Sequence, residues 1–278
     1  MCEVLVVSKS GYYDWLKRPL SQKWQELQEE REKLNQAIYR IFQDSFCTYG
    51  SPRIHAQLKK EGIEVCEKTV ANRMRELGLT AEPPKRTVRT TDSDHSQPIY
   101  PNIVNRNFYA EKPNQVWVAD ITYIRSLDGW SYLASIMDLC SRRIIAYKMG
   151  ISMETELPLS VLREALVVRQ PGEGLIHHSD RGSQYCSNDY TEMLKKNHVQ
   201  ISMSRKGDPW DNACIESFHA TLKKELIYRL GRMSREEAER AVCHYIDHFY
   251  NTRRLHSSLG YLSPVEFELQ NFHQTPTA

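Results

Sequence analysis

The chain has 278 residues, a hydrophobic fraction of 40% and a formal net charge of +2. This length accommodates one large domain or two smaller ones with a packed core, and the near-neutral charge excludes a polycation, so any binding of nucleic acid must come from local basic patches. The seven cysteines form no C-x-x-C pair, and the sequence contains neither a secretory signal nor an apolar run of membrane-spanning length. These features predict a cytoplasmic protein without a disulfide framework, a cysteine zinc site or a membrane anchor.

The first predicted domain, residues 1–80, is helical. Residues 22–44 are polar but carry a set of aliphatic residues at roughly helical spacing: Leu27, Leu34, Ile38 and Ile41. Two short helices follow within residues 50–79, the first capped by Ser51 and ending at Gly62. Two short helices joined by a tight turn are typical of the helix-turn-helix, whose second helix reads the major groove of DNA.

The second of these helices has a polar outward face. It would offer DNA the side chains of Lys68, Asn72, Arg73 and Arg75. Helical hairpins are also common in proteins that never touch DNA, so this pattern leaves both readings open.

Residues 81–112 are predicted to be a linker, because they are rich in Pro, Thr, Ser and basic residues and show no period. Lys85, Arg86 and Arg89 form a short positive run within it. This run would either lie along a phosphate backbone or remain solvated.

The sequence pattern changes from helices and a linker to predicted strands at the start of the predicted core, residues 113–230. Residues 115–126 contain an apolar run that predicts a strand, and Asp128-Gly129 is a turn that closes hairpins. The order continues as two more antiparallel strands, a helix, a short strand ending at Asp180, a helix, a strand and further helices, which extend through residues 231–278. This is the element order of a ribonuclease-H-like α/β fold with a mixed five-stranded sheet, preceded here by an all-α region.

Three acids are expected to meet in this fold. Asp120 lies inside the first strand, which we expect to be central, Asp180 ends the strand predicted to pair beside it, and Glu216 lies on a helix that crosses the same edge. A buried carboxylate without a partner is costly, and three close carboxylates need counter-charge. Oxygen ligands select Mg²⁺ or Mn²⁺, and two such ions can catalyse phosphoryl transfer on DNA. Two rival acids, Asp128 and Asp138, are interpreted as a turn residue and a strand-end residue.

Further residues support this site or extend it. Lys223 lies two helical turns after Glu216 and would either contact a DNA phosphate or remain solvated. His178 is the histidine whose strand position lets it point towards the acids. Arg253 and Arg254, with His256, form a basic segment that would grip DNA or remain a surface feature.

Long motifs give the chain a family resemblance. The segments WVADITYI, HHSDRGSQY and GDPWDNACIESFHATLKKE resemble the catalytic-core signatures of the DDE transposases of bacterial insertion sequences. More narrowly, they are similar to those of the insertion-sequence-3 family, which are relatives of retroviral integrases. The resemblance covers the chain from Gly11 to Phe267, including YGSPRIHAQLKKEG in the helix-turn-helix and YNTRRLHSSLGYLSPVEF near the C-terminus.

The resemblance implies an integrase-type core with a triad of Asp120, Asp180 and Glu216, and with Lys223 at the family's basic position. It implies Mg²⁺-dependent cleavage at element ends and joining to another phosphodiester, on double-stranded DNA and in a homo-oligomer. It also implies a possible partner from an upstream reading frame, to which the second frame is usually fused, and association with the bacterial nucleoid. Two alternatives remain open: a non-catalytic DNA-binding modulator of a longer fused transposase, and a ribonuclease H acting on RNA–DNA hybrids.

Overall fold

The computed structural model describes residues 8–17, 21–81, 97–231 and 233–272. The chain divides into two compact units, residues 1–83 and 84–278. The basic run of Lys85, Arg86 and Arg89 lies outside the described residues. In the part that is described, no helix is long and apolar enough to cross a lipid bilayer.

The described residues of the first unit form helices joined by turns. Its elements are α1 (Lys9–Lys17), α2 (Gln22–Asp44), α3 (Ser51–Lys60) and α4 (Glu67–Glu76). Buried aliphatic side chains such as Ile38 of α2, Leu58 of α3 and Val70 of α4 form its core. The predicted pair of short helices is therefore confirmed, although α3 is capped by Gly50 rather than by Ser51.

The second unit is built on a mixed five-stranded sheet, as predicted. Its strands are β1 (Val116–Ser126), β2 (Gly129–Asp138), β3 (Ile144–Gly150), β4 (Ile176–Ser179) and β5 (Gln200–Met203). They lie in the order β3-β2-β1-β4-β5. The first three strands are antiparallel, whereas β4 pairs parallel with both β1 and β5. Strand β1 is central, and the strand before Asp180 is its neighbour, which confirms the expected topology.

Helices flank this sheet. They are α5 (Glu156–Arg169), α6 (Ser183–Cys186), α7 (Asn188–Lys196), α8 (Ala213–Leu222), α9 (Tyr228–Leu230), α10 (Arg235–Tyr245) and α11 (Pro264–Phe272). A 3₁₀ turn, Pro209–Asn212, precedes α8, and a second, Ser257–Leu259, precedes α11. Two π-helical segments, Lys223–Ile227 and Ile246–Tyr250, continue α8 and α10 without a break.

Alternation along the strands gives the sheet two different faces. One, the apolar face, carries Trp117 and Ala119 of β1 and packs on Leu162 of α5 and Tyr190 of α7 in the main hydrophobic core. The other face, named here the polar face after its acid, carries Asp120 together with buried Val118 and Ile124 of the same strand. Successive side chains of a strand point to opposite faces, so Ala119 and Asp120 lie on different sides of the sheet.

Residues 97–112 differ from the expectation of a solvated linker. This stretch contains no helix or strand, but it is bonded to the last strand of the sheet. The amides of Ile103 and Val104 donate to Ser202 Oγ at 2.9 and 3.3 Å, and Met203 N donates to Pro101 O at 3.3 Å. These bonds fix this part of the predicted linker on the second unit.

The C-terminal segment corrects the expectation for Arg254. This arginine is buried, and its Nε and Nη2 each donate to the Glu225 carboxylate at 2.8 Å. Tyr245 Oη donates to the same carboxylate at 2.6 Å. Arg254 therefore fastens the C-terminal segment to the helix that continues α8, rather than presenting its charge to DNA. Its neighbour Arg253 is exposed.

Candidate active site

The register of the central strands aligns the first two acids. Parallel pairing of β1 with β4 places Val118 opposite His178. Asp120 lies two residues beyond Val118 in β1, and Asp180 lies two residues beyond His178, one residue past the end of β4. The two acids therefore follow equivalent positions of two neighbouring strands.

The buried phenol of Tyr185 reports the proximity of both acids. Burial raises the pKa of Tyr185 well above its usual value, and the charges of Tyr190, Asp120 and Asp180 raise it further. Electrostatic interactions of this kind fall with distance, so both carboxylates lie near this side chain of α6.

A tight turn holds Asp180 just beyond β4. The amide of Gly182 donates to Asp180 Oδ1 at 2.9 Å. A Cβ at position 182 would lie 3.0 Å from that oxygen and 2.9 Å from Gln184 Oε1. Glycine is needed here because the backbone has to approach the carboxylate closely.

The helix that carries Glu216 is fastened to the same strand at two points. Asn212 Nδ2 donates to the carbonyl of Ala119 at 3.1 Å. His219 contacts Asp120 Oδ2 through Nδ1 at 3.2 Å and Ser135 Oγ through Nε2 at 2.7 Å. Residues 212, 216 and 219 are spaced along one helical face. The exposed Glu216 therefore lies on the face of α8 that runs along β1, in its first turn.

Asp211 fixes the loop that leads into α8. Its buried carboxylate accepts from Arg106 Nε at 3.0 Å, from Arg205 Nη2 at 2.7 Å and from Asn102 Nδ2 at 2.9 Å. The hydrogen bonds from Arg205 are the main reason that the pKa of Asp211 is held well below its usual range. The sequence did not identify these partners.

His178 does not serve the role that the sequence suggested. Its ring is buried, with Nδ1 2.8 Å from Ser202 Oγ and Nε2 2.9 Å from the carbonyl of Asp211. The ring therefore supports the loop before α8, because both of its nitrogens are already used away from Asp180.

Lys223 lies at the far end of the α8 face. Its side chain is partly buried, and burial lowers the pKa of its ammonium, while the Asp120 carboxylate acts in the opposite direction. This places a positive charge in the electrostatic neighbourhood of Asp120. Contact of Lys223 with a DNA phosphate stays a prediction.

The residues predicted to contact DNA from α4 are not equivalent. Lys68 and Asn72 are exposed. Arg73 is only partly exposed, and it donates to Glu76 at 2.7 Å, which also accepts from Arg31 of α2 at 2.7 Å. Arg73 thus takes part in holding α4 to α2 within the first unit.

The rival acids have the structural roles expected of them. Asp128 Oδ2 accepts from the amide of Arg235 at 2.6 Å beside the hairpin turn, and buried Asp138 accepts from the amides of Asn114 and Cys140 at the end of β2. Across the described ranges, no three His, Cys, Asp or Glu side chains are gathered closely enough to hold a metal ion. The meeting of all three acids at a metal stays a prediction.

His219 was missed by the sequence-based search, although a signal was present. It follows Glu216 by three residues and Asn212 by seven, so the helical period places all three on one face. A histidine on the same helical face as a candidate catalytic acid is therefore a candidate for contact with the strand on which that helix packs.

Comparison with known proteins identifies the class. Residues 110–209 and 197–264 each match a family described as "Integrase core domain", and residues 28–87 match one described as "HTH-like domain". A chain of the simian T-cell lymphotropic virus intasome shares the fold, with a TM-score of 0.51 at 14% identity over 87% of this chain and 76% of that one. The protein is a DDE-type polynucleotidyl transferase with a ribonuclease-H-like integrase core, which confirms the predicted fold class.

Curated relatives identify the family. The chain is 42% identical over 274 residues to the "Insertion element IS600 uncharacterized 31 kDa protein" of Shigella sonnei, covering 99% of both chains. It is 40% identical over 271 residues to "Transposase InsF for insertion sequence IS3A" of Escherichia coli strain K12, covering 98% of this chain and 93% of that one. The chain belongs to the insertion-sequence-3 family of transposases.

Proposed function

We propose that this transposase cleaves DNA at the ends of its insertion sequence and joins the freed 3′-hydroxyl to a target phosphodiester, with Asp120, Asp180 and Glu216 as its catalytic carboxylates. The observation that supports the proposal is the parallel pairing of β1 with β4, in which Asp120 and Asp180 each follow the last paired residues, Val118 and His178, by two positions. Glu216 joins them through α8, which is fastened to the same stretch of β1.

The donor set fits a hard divalent cation. All three proposed ligands are carboxylates, and oxygen ligands favour Mg²⁺ or Mn²⁺ over softer metals. When bound, two such ions would activate the attacking oxygen and stabilise the leaving oxygen. The protein itself holds Asp120 through His219 and Asp180 through the amide of Gly182, so it limits the motion of two ligands.

The joining step needs no covalent enzyme intermediate. The 3′-hydroxyl loses its proton and attacks phosphorus, a new phosphodiester P–O bond forms, and the bond to the target's own 3′-oxygen breaks. Phosphodiester number is conserved, so no external energy source is required. Lys223 is proposed to contact a phosphate beside Asp120.

The remaining residues are proposed to bring DNA to this site. Lys68 and Asn72, with Arg73 nearby, would contact element ends from the helix-turn-helix, and Arg253 would contact a phosphate from the C-terminal segment. We assign residues 113–230 to the catalytic core and residues 231–278 to a C-terminal extension. Assembly as a homo-oligomer on DNA, with a possible partner from an upstream reading frame, completes the proposal.

A strand-joining assay tests the proposal. Labelled element-end DNA with Mg²⁺ is supplied to the wild type and to Asp120→Asn, Asp180→Asn and Glu216→Gln. We expect each variant to lose joining by about 1,000-fold or more, because catalytic groups that act as a unit fail together. Glu192→Gln, an exposed change on α7, is the matched control and should retain the wild-type rate.

Three outcomes would contradict the proposal. Wild-type levels of joining by the triad variants would remove these carboxylates from the chemistry. Joining absent from the wild type as well, with DNA binding retained, would favour the non-catalytic modulator. Cleavage of RNA–DNA hybrid alone would favour a ribonuclease H.

A further inference from the structure

His219 occupies a position that neither the fold nor the core packing requires of a histidine. Its side chain is 5% exposed, and it projects from α8 onto the polar face of the sheet. Both ring nitrogens contact polar atoms: Nδ1 lies 3.2 Å from Asp120 Oδ2, and Nε2 lies 2.7 Å from Ser135 Oγ. The ring therefore bridges two strands, because Asp120 and Ser135 are directly paired between β1 and β2.

The chemistry of the carboxylate sets the direction of the bond to Asp120: a carboxylate accepts, so Nδ1 donates to Asp120 Oδ2. The hydroxyl of Ser135 can donate or accept, so it provides a partner for Nε2 with or without a proton on that nitrogen. The two contacts together restrain the ring orientation.

The bridge also defines the orientation of the carboxylate. His219 engages one oxygen, Oδ2, which restrains rotation of the carboxylate. A second bond on the same helix, from Asn212 to Ala119 O, limits how far α8 can slide along β1. Together these two bonds tie the helix that carries Glu216 to the strand that carries Asp120.

We propose that His219 is a positioning residue, which orients the Asp120 carboxylate for metal binding and holds α8 in register above it. The inference rests on the proposed function, because it assumes that Asp120 is a metal ligand. Residues that orient a metal ligand typically change metal affinity or activity by about 10- to 100-fold when they are removed. We expect an effect of that size on divalent-ion binding, with no direct contact between His219 and the ion.

The test measures Mn²⁺ binding to the full chain without DNA, by titration calorimetry or by the electron paramagnetic resonance of free Mn²⁺. His219→Leu removes both hydrogen bonds at similar volume and should weaken Mn²⁺ binding by about 10-fold or more. His219→Asn places an amide nitrogen near the position of Nδ1 and should recover most of the affinity. His219→Gln reaches instead towards Ser135 and should recover less.

A second readout separates positioning from loss of folded protein. In His219→Leu, the Mg²⁺ concentration for half-maximal strand joining should rise about 10-fold, and joining should recover at saturating Mg²⁺. A purely structural defect would lower the maximum rate and leave that concentration unchanged, which would overturn the inference. If His219→Leu fails to fold, Ser135→Ala provides a milder test: it removes the partner of Nε2 and leaves the contact with Asp120, so it should raise the Mg²⁺ requirement in the same direction by a smaller factor, and an unchanged requirement would overturn the inference.

The control variants distinguish a failure of the proposed metal site from a failure of the positioning role of His219. His177→Asn alters another buried histidine, whose Nε2 lies 3.0 Å from Tyr190 Oη on the apolar face, and should leave Mn²⁺ affinity unchanged. Unchanged Mn²⁺ affinity in Asp120→Asn would overturn the proposed function itself. Weakened binding in Asp120→Asn together with wild-type affinity in His219→Leu would overturn only the role of His219.

Discussion

The two faces of the central sheet are built from the same strands and both bury apolar side chains, but one of them also carries Asp120. On the apolar face, Ala119 and Trp117 pack among aliphatic and aromatic side chains, and burial is non-directional. On the polar face, Asp120 has a defined partner with a defined donor. Asp120 directly follows Ala119 in β1, so the alternation of side chains along the strand places the acid beside the packed core but on the other face of the sheet.

The largest effect on the free energy of unfolding is expected at the buried ion pair between Arg254 and Glu225. Arg254→Ala would leave the Glu225 carboxylate buried without its cation, and should lower the free energy of unfolding by about 3–5 kcal/mol. Arg253→Ala changes the adjacent, exposed arginine and should leave stability unchanged. Denaturant unfolding of both variants checks this, and equal stabilities would show that the buried pair contributes nothing.

Truncation of a buried side chain on the apolar face should lower stability but leave the strand-joining rate unchanged. Leu162 of α5 is fully buried, and Leu162→Ala should lower the free energy of unfolding by about 2–5 kcal/mol through lost burial and a cavity. The strand-joining rate per folded molecule should remain that of the wild type. A change in the Mg²⁺ requirement of this variant would show that the two faces are not independent.

A smaller effect is expected at the loop before α8. Asp211→Asn removes the charge that Arg106 and Arg205 share, and should cost about 2 kcal/mol near neutral pH, since hydrogen bonds to charged groups are worth about 1.5–3 kcal/mol.

The pH dependence of that effect follows from the direction of the pKa shift. The pKa of Asp211 is lower in the folded protein than in the unfolded chain, where it is about 3.9. Its stabilisation is therefore complete above about pH 4 and is lost as the pH falls towards the folded value. Wild type and Asp211→Asn should converge in stability on acidification, and a constant difference down to pH 2 would contradict this.

The smallest effect on stability is expected for an exposed lysine of the first unit, Lys68 of α4. Lys68→Ala, on the exposed side of α4, should leave unfolding unchanged and reduce the salt dependence of DNA binding by about one counter-ion. Lys196→Ala on α7 removes an equally exposed charge and serves as the control. An unaltered salt slope for Lys68→Ala would remove this residue from the proposed DNA contact.

The sequence predicted those features that local pattern determines. An apolar run identified β1 and placed Asp120 within it, and the Asp128-Gly129 turn between β1 and β2 lies where expected. The position of Asp180 just past the parallel neighbour of β1 followed from topology, since parallel strands bring their ends to one edge.

The sequence could not predict pairings between distant residues. His219 meets Asp120 across 99 residues and Ser135 across 84, and Arg106 meets Asp211 across 105. Arg254 was misjudged for a related reason: two consecutive arginines in a polar segment look solvated. Only the fold shows that Glu225, 29 residues earlier, draws one of them inside.

The π-helical segment Lys223–Ile227 changes the helical winding directly after α8, the helix that carries Glu216 and His219. A π turn holds an extra residue, so side chains beyond it are rotated by about 100° relative to an unbroken α-helix. Lys223 lies near Asp120, whereas Glu225, two positions later, accepts hydrogen bonds from Arg254. The five residues of this segment therefore connect the strand that carries Asp120 with the C-terminal segment that carries Arg254.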